Sequence, residues 1–183
     1  NYSDLSATNR AKGLDCSGFV GWAAYQVMHT RSNVGYGYTV VSGEIGGYYR
    51  KTLGWGTVVN QKYLSQQNYK LYPGDIGYND GHTWIVLGQC SDRSALILHS
   101  TPYAGEQISF TPTPEGKSSS QAAALAKKYM SRYAGYKKYE YHTTTGNFIR
   151  RGNYLRWYPA TLSDPDGFKS KTADQILKIM FGF

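Results

Sequence analysis

Asp15-Cys16-Ser17-Gly18-Phe19-Val20 opens a segment in which Val20, Ala23, Ala24 and Val27 fall at i, i+3, i+4 and i+7. That spacing predicts a helix over Cys16–Met28 with those four residues on its buried face. Asp15 stands where a helix start needs an acceptor for its free N–H groups, and Cys16 falls in the first turn. A helix N-terminus stabilises a thiolate, and a nearby imidazole does so further, bringing such thiols to pKa values of about 3.5–7.5. Cys16 is therefore a candidate nucleophile, and Gly18 beside it leaves room for a substrate backbone. Taken alone, a cysteine on a core helix reads as an ordinary packing residue, so nucleophilic chemistry requires a partner.

The partner is a histidine, and the chain has four: His29, His82, His99 and His142. Pro73-Gly74-Asp75 marks a turn, Ile76-Gly77-Tyr78 a short strand and Asn79-Asp80-Gly81 a second turn. His82-Thr83-Trp84-Ile85-Val86-Leu87 and Ala95-Leu96-Ile97-Leu98-His99 then read as two strands joined by the polar stretch 89–94. If they form an antiparallel hairpin, the start of one lies beside the end of the other, making His82 and His99 neighbours. His82 would then act as the base for Cys16, with His99 holding the His82 ring in its working tautomer. His29, at the end of the first helix, and His142, in a polar loop, read as surface histidines.

Outside this core the pattern is looser. Glycines punctuate 31–72, where short helices are expected, and Gln107-Ile108-Ser109-Phe110 reads as a further strand. Ser118 with Gln121 resembles a capping box for a helix over 122–133. The stretch 148–158 is β-rich, with Arg150, Arg151 and Arg156 among aromatic residues. A last helix over 172–181 is marked by the Thr172/Gln175 cap and by Ile176, Ile179 and Met180 on one face. There is no internal repeat. The whole reads as one α+β domain over 1–183, a length that suits a single core.

Composition narrows the partners. The chain has 40% hydrophobic and 17% charged residues and no apolar run long enough to span a bilayer. Twenty Lys plus Arg against twelve Asp plus Glu give a formal charge of +8, which favours polyanionic surroundings such as nucleic acid, anionic lipid or an anionic cell-wall polymer. The basic residues are scattered in pairs, Lys127-Lys128, Lys137-Lys138 and Arg150-Arg151, without a nucleic-acid-binding motif, so no nucleic-acid partner is expected. Eighteen Tyr, four Trp and twenty-one Gly suit a sheet with long loops, most rings being structural and some offering a surface for sugars or peptides. Cys90 falls in the polar turn Gln89-Cys90-Ser91-Asp92 and reads as an incidental thiol rather than a disulfide partner of Cys16. The opening Asn1-Tyr2-Ser3-Asp4-Leu5-Ser6 lacks the features of an export signal and reads as the start of a fragment or mature form, so any export signal would lie upstream, where there is room for further domains.

Four motifs carry a resemblance. Asp15-Cys16-Ser17-Gly18-Phe19-Val20, Pro73-Gly74-Asp75-Ile76, Gly81-His82 with Ile85-Val86-Leu87-Gly88, and Leu98-His99-Ser100-Thr101 are similar, in order and spacing, to motifs of the NlpC/P60 family of papain-like cysteine peptidases. In that family they supply the nucleophile, a turn and strand, the base, and a third polar catalytic residue. The match spans 14–101, roughly half the chain. It implies a papain-like fold, with the catalytic helix packed on a central antiparallel sheet, extra loops and a C-terminal helix. It further implies a cell-wall hydrolase, extracellular or wall-bound, that cuts peptidoglycan stem peptides at the D-γ-glutamyl–diamino acid bond through an acyl-enzyme on Cys16.

The same likeness lets Asp15 and Ser17 hold a free amine of the stem peptide; capping by Asp15 and a first-turn hydroxyl at Ser17 account for them equally well. No cofactor and no metal are called for, because Cys16, His82 and His99 lack a fourth protein ligand and match no zinc spacing. The aromatic-Trp-Gly-Gly segment often found before the family's cysteine is missing, Asn9-Arg10-Ala11-Lys12-Gly13 standing there instead. The stretch 31–72 is longer than the family core needs, and nothing beyond Thr101 has a counterpart. An amidase or acyltransferase on the same fold, or a non-catalytic wall-binding module using the aromatic and basic surface, are the competing readings.

Overall fold

The computed structural model describes residues 14–28, 38–60, 69–101, 105–133 and 152–182. His29, His142, the segment before Leu14, the pairs Lys137-Lys138 and Arg150-Arg151, and the first part of 148–158 lie outside the described residues.

In chain order the elements are α1 (Cys16–Met28), short helical turns at Ser42–Glu44, Ile45–Gly47 and Tyr48–Thr52, then strands β1 (Gly56–Val59), β2 (Ile76–Asn79), β3 (His82–Gln89), β4 (Ala95–Thr101) and β5 (Gly105–Phe110). Helix α2 (Gln121–Met130), strand β6 (Asn153–Trp157), a turn at Phe168–Ser170 and helix α3 (Ala173–Phe181) follow. The six strands form one sheet in the order β1-β6-β2-β3-β4-β5, every adjacent pair antiparallel. The architecture is α+β. Strand β1 carries no strong strand pattern of its own and is made an edge strand by pairing with β6, Gly56 opposite Trp157.

Side chains alternate across a strand, so each face of the sheet has its own core. On one face α1 lays Phe19, Val20, Ala24 and Met28 against Ile76, Tyr78, Leu155 and Trp157, with Ile85 and Leu98 at the margin. On the same face, α2 and α3 cover Leu87, Leu96, Ile108 and Phe110 with Ala122, Ala126, Tyr129 and Leu177. Trp84, Val86, Ala95, Ile97 and Tyr154 form a separate cluster from the alternate positions, on the opposite face. Burying these side chains is worth about 1.5–3 kcal/mol each relative to exposure.

Two helix faces and one helix cap differ from the sequence expectation. In α1 the buried stripe is Val20, Ala24 and Met28 with Phe19, while Val27 is 50% exposed. The helix is turned toward the loop after it, where an added Cβ on Gly21 would meet the Thr39 backbone at 2.8 Å. The cap of α2 is Ser120 rather than Ser118: its hydroxyl accepts from the Ala123 N–H at 3.2 Å and donates to the Thr111 carbonyl at 3.0 Å. In α3 the Thr172/Gln175 capping box is formed, but Ala173, Ile176 and Leu177 face the sheet while Ile179 and Met180 are exposed. In α1 and α3 tertiary packing chose the stripe among several apolar positions that local spacing left equivalent.

Candidate active site

Strands β3 and β4 pair from Gln89 opposite Ala95 to Ile85 opposite Leu98, where their register ends. The start of α1 sits at the mouth of this hairpin. The Ser100 hydroxyl donates to the Leu14 carbonyl, and the Leu14 N–H donates to Glu106 Oε1 on β5 at 3.3 Å. The Thr83 N–H, the backbone donor next to His82, works on the Cys16 thiol electrostatically, pulling its pKa down. The mouth therefore brings a thiol from the α1 side beside the strand that carries an imidazole on the opposite face.

Asp15 does the work of an N-cap. Its carbonyl accepts from Phe19 N–H at 2.8 Å, and its Oδ1 accepts from Gly18 N–H at 2.6 Å and from the Ser17 hydroxyl at 3.1 Å. Gly18 is buried, and a Cβ there would lie 3.0 Å from that Oδ1, so its small size serves the cap rather than an open approach to the thiol. Asp15 itself stays exposed.

His82 and His99 are in direct contact, His82 Nε2 lying 2.7 Å from His99 Nδ1 with the rings edge to face at 75°. The second nitrogen of His99, Nε2, lies 2.9 Å from the side-chain nitrogen of Gln107, directly across from it on β5. The His82 ring stacks on Trp84 at 5.8 Å, and Trp84 is fully buried. Trp84 in turn lies over Gly77, where a Cβ would come within 2.1 Å of the indole. The turn before His82 is held by Gly81 N–H on Asn79 Oδ1 at 3.0 Å and by the Ser42 hydroxyl on the Asp80 carbonyl at 3.2 Å. His82 is thus fixed from its backbone, its ring face and one ring nitrogen.

The protonation states differ from the activated thiolate that helix-start chemistry suggests. Burial pushes the Cys16 thiol above its ordinary 9.0, against hydrogen bonds from the Thr83, Ser17 and Cys16 N–H groups, while the Asp15 charge adds to the rise. Burial also pushes His82 down to about 4. At neutral pH the resting pair is a thiol and a neutral imidazole. Such an imidazole is ready to accept a proton, and the N–H groups that face the sulfur stabilise the thiolate as it forms.

Ser100, Glu106, Gln107, Trp84 and Gly77 were not singled out from the sequence. Gln107 is a polar residue at a buried strand position, a visible signal, but only the β4–β5 register shows that it faces His99. The Asp75 of the first turn motif has a role of its own: its carboxylate takes Arg156 Nε at 3.2 Å and Nη2 at 2.7 Å, tying β6 to the start of β2. Both cysteines are free, Cys90 packing beside the α2–α3 cluster. Among the described residues no three His, Cys, Asp or Glu side chains are grouped to hold a metal ion, and no helix is long and apolar enough to cross a membrane. No family model, curated protein or solved structure matches the chain.

Proposed function

We propose that this chain is a cysteine peptidase of the NlpC/P60 kind, with a papain-like arrangement of catalytic helix and antiparallel sheet, that hydrolyses peptidoglycan stem peptides at the D-γ-glutamyl–diamino acid bond. The observation that carries this reading is the contact of His82 Nε2 with His99 Nδ1 at 2.7 Å on the strand whose Thr83 N–H acts on the helix-start thiol of Cys16. A thiol, a base and a group that orients the base are the parts acyl transfer requires.

With Nε2 of His82 facing His99, Nδ1 takes the thiol proton. Cys16 Sγ then bonds to the scissile carbonyl carbon, and backbone N–H groups at the start of α1 hold the oxyanion, each aligned donor being worth about 3–4 kcal/mol of barrier. His82 passes its proton to the leaving amine as the C–N bond breaks. Water, deprotonated by the same nitrogen, cleaves the thioester and returns the thiol. The exposed Asp15 carboxylate, with Ser17 beside it, offers a counter-charge to a free amine on the stem peptide without giving up its cap. The positive chain suits an extracellular site on an anionic wall.

The test is release of new amines from purified wall sacculi, read by an amine-reactive dye. The parent protein releases them and Cys16→Ala does not; equal binding of both to sacculi, with no amine released by either, would turn the chain into a wall-binding module.

A further inference from the structure

His99 uses both of its ring nitrogens, Nδ1 toward His82 at 2.7 Å and Nε2 toward Gln107 at 2.9 Å. A neutral imidazole has one N–H, so the two contacts must run in the same sense along the row. In one sense, Gln107 donates to His99 Nε2, His99 Nδ1–H donates to His82 Nε2, and the proton of neutral His82 sits on Nδ1. His82 then has no nitrogen with which to take the thiol proton. In the other sense, His82 Nε2–H donates to His99 Nδ1 and His99 Nε2–H donates onward, and His82 Nδ1 then carries no proton, the form a base requires. That second sense needs an oxygen opposite His99 Nε2.

Gln107 can supply one. It is 2% exposed, and with its nitrogen toward His99 its oxygen, Oε1, is buried with no hydrogen-bond partner. A buried acceptor left without a partner is destabilising. Half a turn about the last side-chain bond exchanges the amide oxygen and nitrogen at almost no change of shape. The oxygen then meets His99 Nε2–H. The turned NH2 lies on the face of β4 and β5 that also carries the buried, unpartnered hydroxyls of Thr101 and Ser109.

We propose that Gln107 is a positioning residue of the catalytic relay, its side-chain oxygen accepting from His99 Nε2–H and so setting the direction of every proton from Gln107 back to His82. The row of Cys16, His82, His99 and Gln107 then has one working polarity, fixed by a neutral amide. This rests on the acyl-transfer reading of Cys16 and His82. A carboxylate in place of the amide would set the same direction and also stabilise a protonated imidazole, whereas an apolar side chain of the same length would leave either direction open.

The test is nitrogen-15 NMR of the imidazole rings in the full chain, joined to the rate at which iodoacetamide alkylates Cys16 across pH. In the parent protein His82 and His99 both carry their proton on Nε2. In Gln107→Met the alkylation rate falls about 10–100-fold, the range seen when an outer partner orienting a working histidine is lost. Gln107→Glu keeps most of the rate, and its profile moves to higher pH. A parent His99 protonated on Nδ1, or Gln107→Met and Gln107→Glu slowed alike, overturns the proposal; where Gln107→Met does not fold, the parent tautomers decide it. Neither readout uses a muropeptide, so a relay with this polarity in a chain that cuts no stem peptide refutes the peptidase and leaves the relay standing, while cutting with His99 Nδ1–H does the reverse.

Discussion

Two buried polar groups brace this sheet, and they are built on opposite terms. Arg156 and Asp75 form a closed pair: both carboxylate oxygens face the guanidinium, Nη2 also donates to the Lys70 carbonyl at 2.6 Å, the Tyr72 N–H donates to Asp75 Oδ2 at 2.9 Å, and the guanidinium lies 4.5 Å over the Tyr72 ring. The row of His82, His99 and Gln107 is open: its contacts join two imidazoles and an amide, burial holds His82 near 4, and the row can run in either sense. A displaced pKa does not by itself separate them, because burial displaces both, lowering His82 and raising Asp75 against the pull of Arg156. Saturation does. A saturated pair has no capacity left for chemistry and serves as a clamp, whereas an open row beside a thiol can take up a proton and lose it again.

Breaking each group should give opposite signatures. His82→Gln has the largest expected effect, a fall of about 10²–10⁴-fold in Cys16 alkylation at neutral pH, the contribution usual for a general base. The same variant changes the acid response. Neutral His82 in the fold costs nothing above its ordinary 6.5, but as pH falls toward about 4 the unfolded chain takes a proton that the folded chain refuses. The parent should therefore lose on the order of 3 kcal/mol of stability through this one group between those pH values, and urea melts of His82→Gln should lack that loss.

Arg156→Met, next in size, leaves Asp75 buried without its cation and should cost about 3–5 kcal/mol in urea melts. Its folded fraction should alkylate at the parent rate. Gly77→Ala sharpens the contrast, since it touches the open row only through Trp84: the indole must move away from a Cβ placed 2.1 Å from it. About 1–3 kcal/mol of overpacking is expected, together with slowed alkylation as the His82 ring loses its stacking surface. Smallest is Asp15→Asn, which keeps a good cap and removes the charge that raises the Cys16 thiol, so the alkylation profile should shift to lower pH with stability unchanged within about 0.5 kcal/mol.

Much of this was legible in the sequence because it rests on local signals. The start of α1 at Asp15 and Cys16, the β3–β4 hairpin and the Thr172/Gln175 cap follow from capping, alternation and turn chemistry within a few residues. What was not legible depends on which strands become neighbours. β6 inserts between β1 and β2, a placement no local pattern specifies, and with it come the Asp75–Arg156 clamp and the strand status of Gly56–Val59. Gln107 and Glu106 reach the site only through the β4–β5 register, one turning to His99 and the other holding Leu14. The protonation states escaped for a similar reason: a helix start argues for a thiolate, but the packing around Cys16 and His82 sets the balance, and burial favours the neutral forms.

The most direct measurement on the central claim is mass spectrometry of defined muropeptides incubated with the parent protein and with Cys16→Ala. The parent should yield two fragments divided between D-glutamate and the diamino acid, and Cys16→Ala should yield none. The same fragments from both proteins, or a cut at the sugar–peptide amide instead, would contradict it.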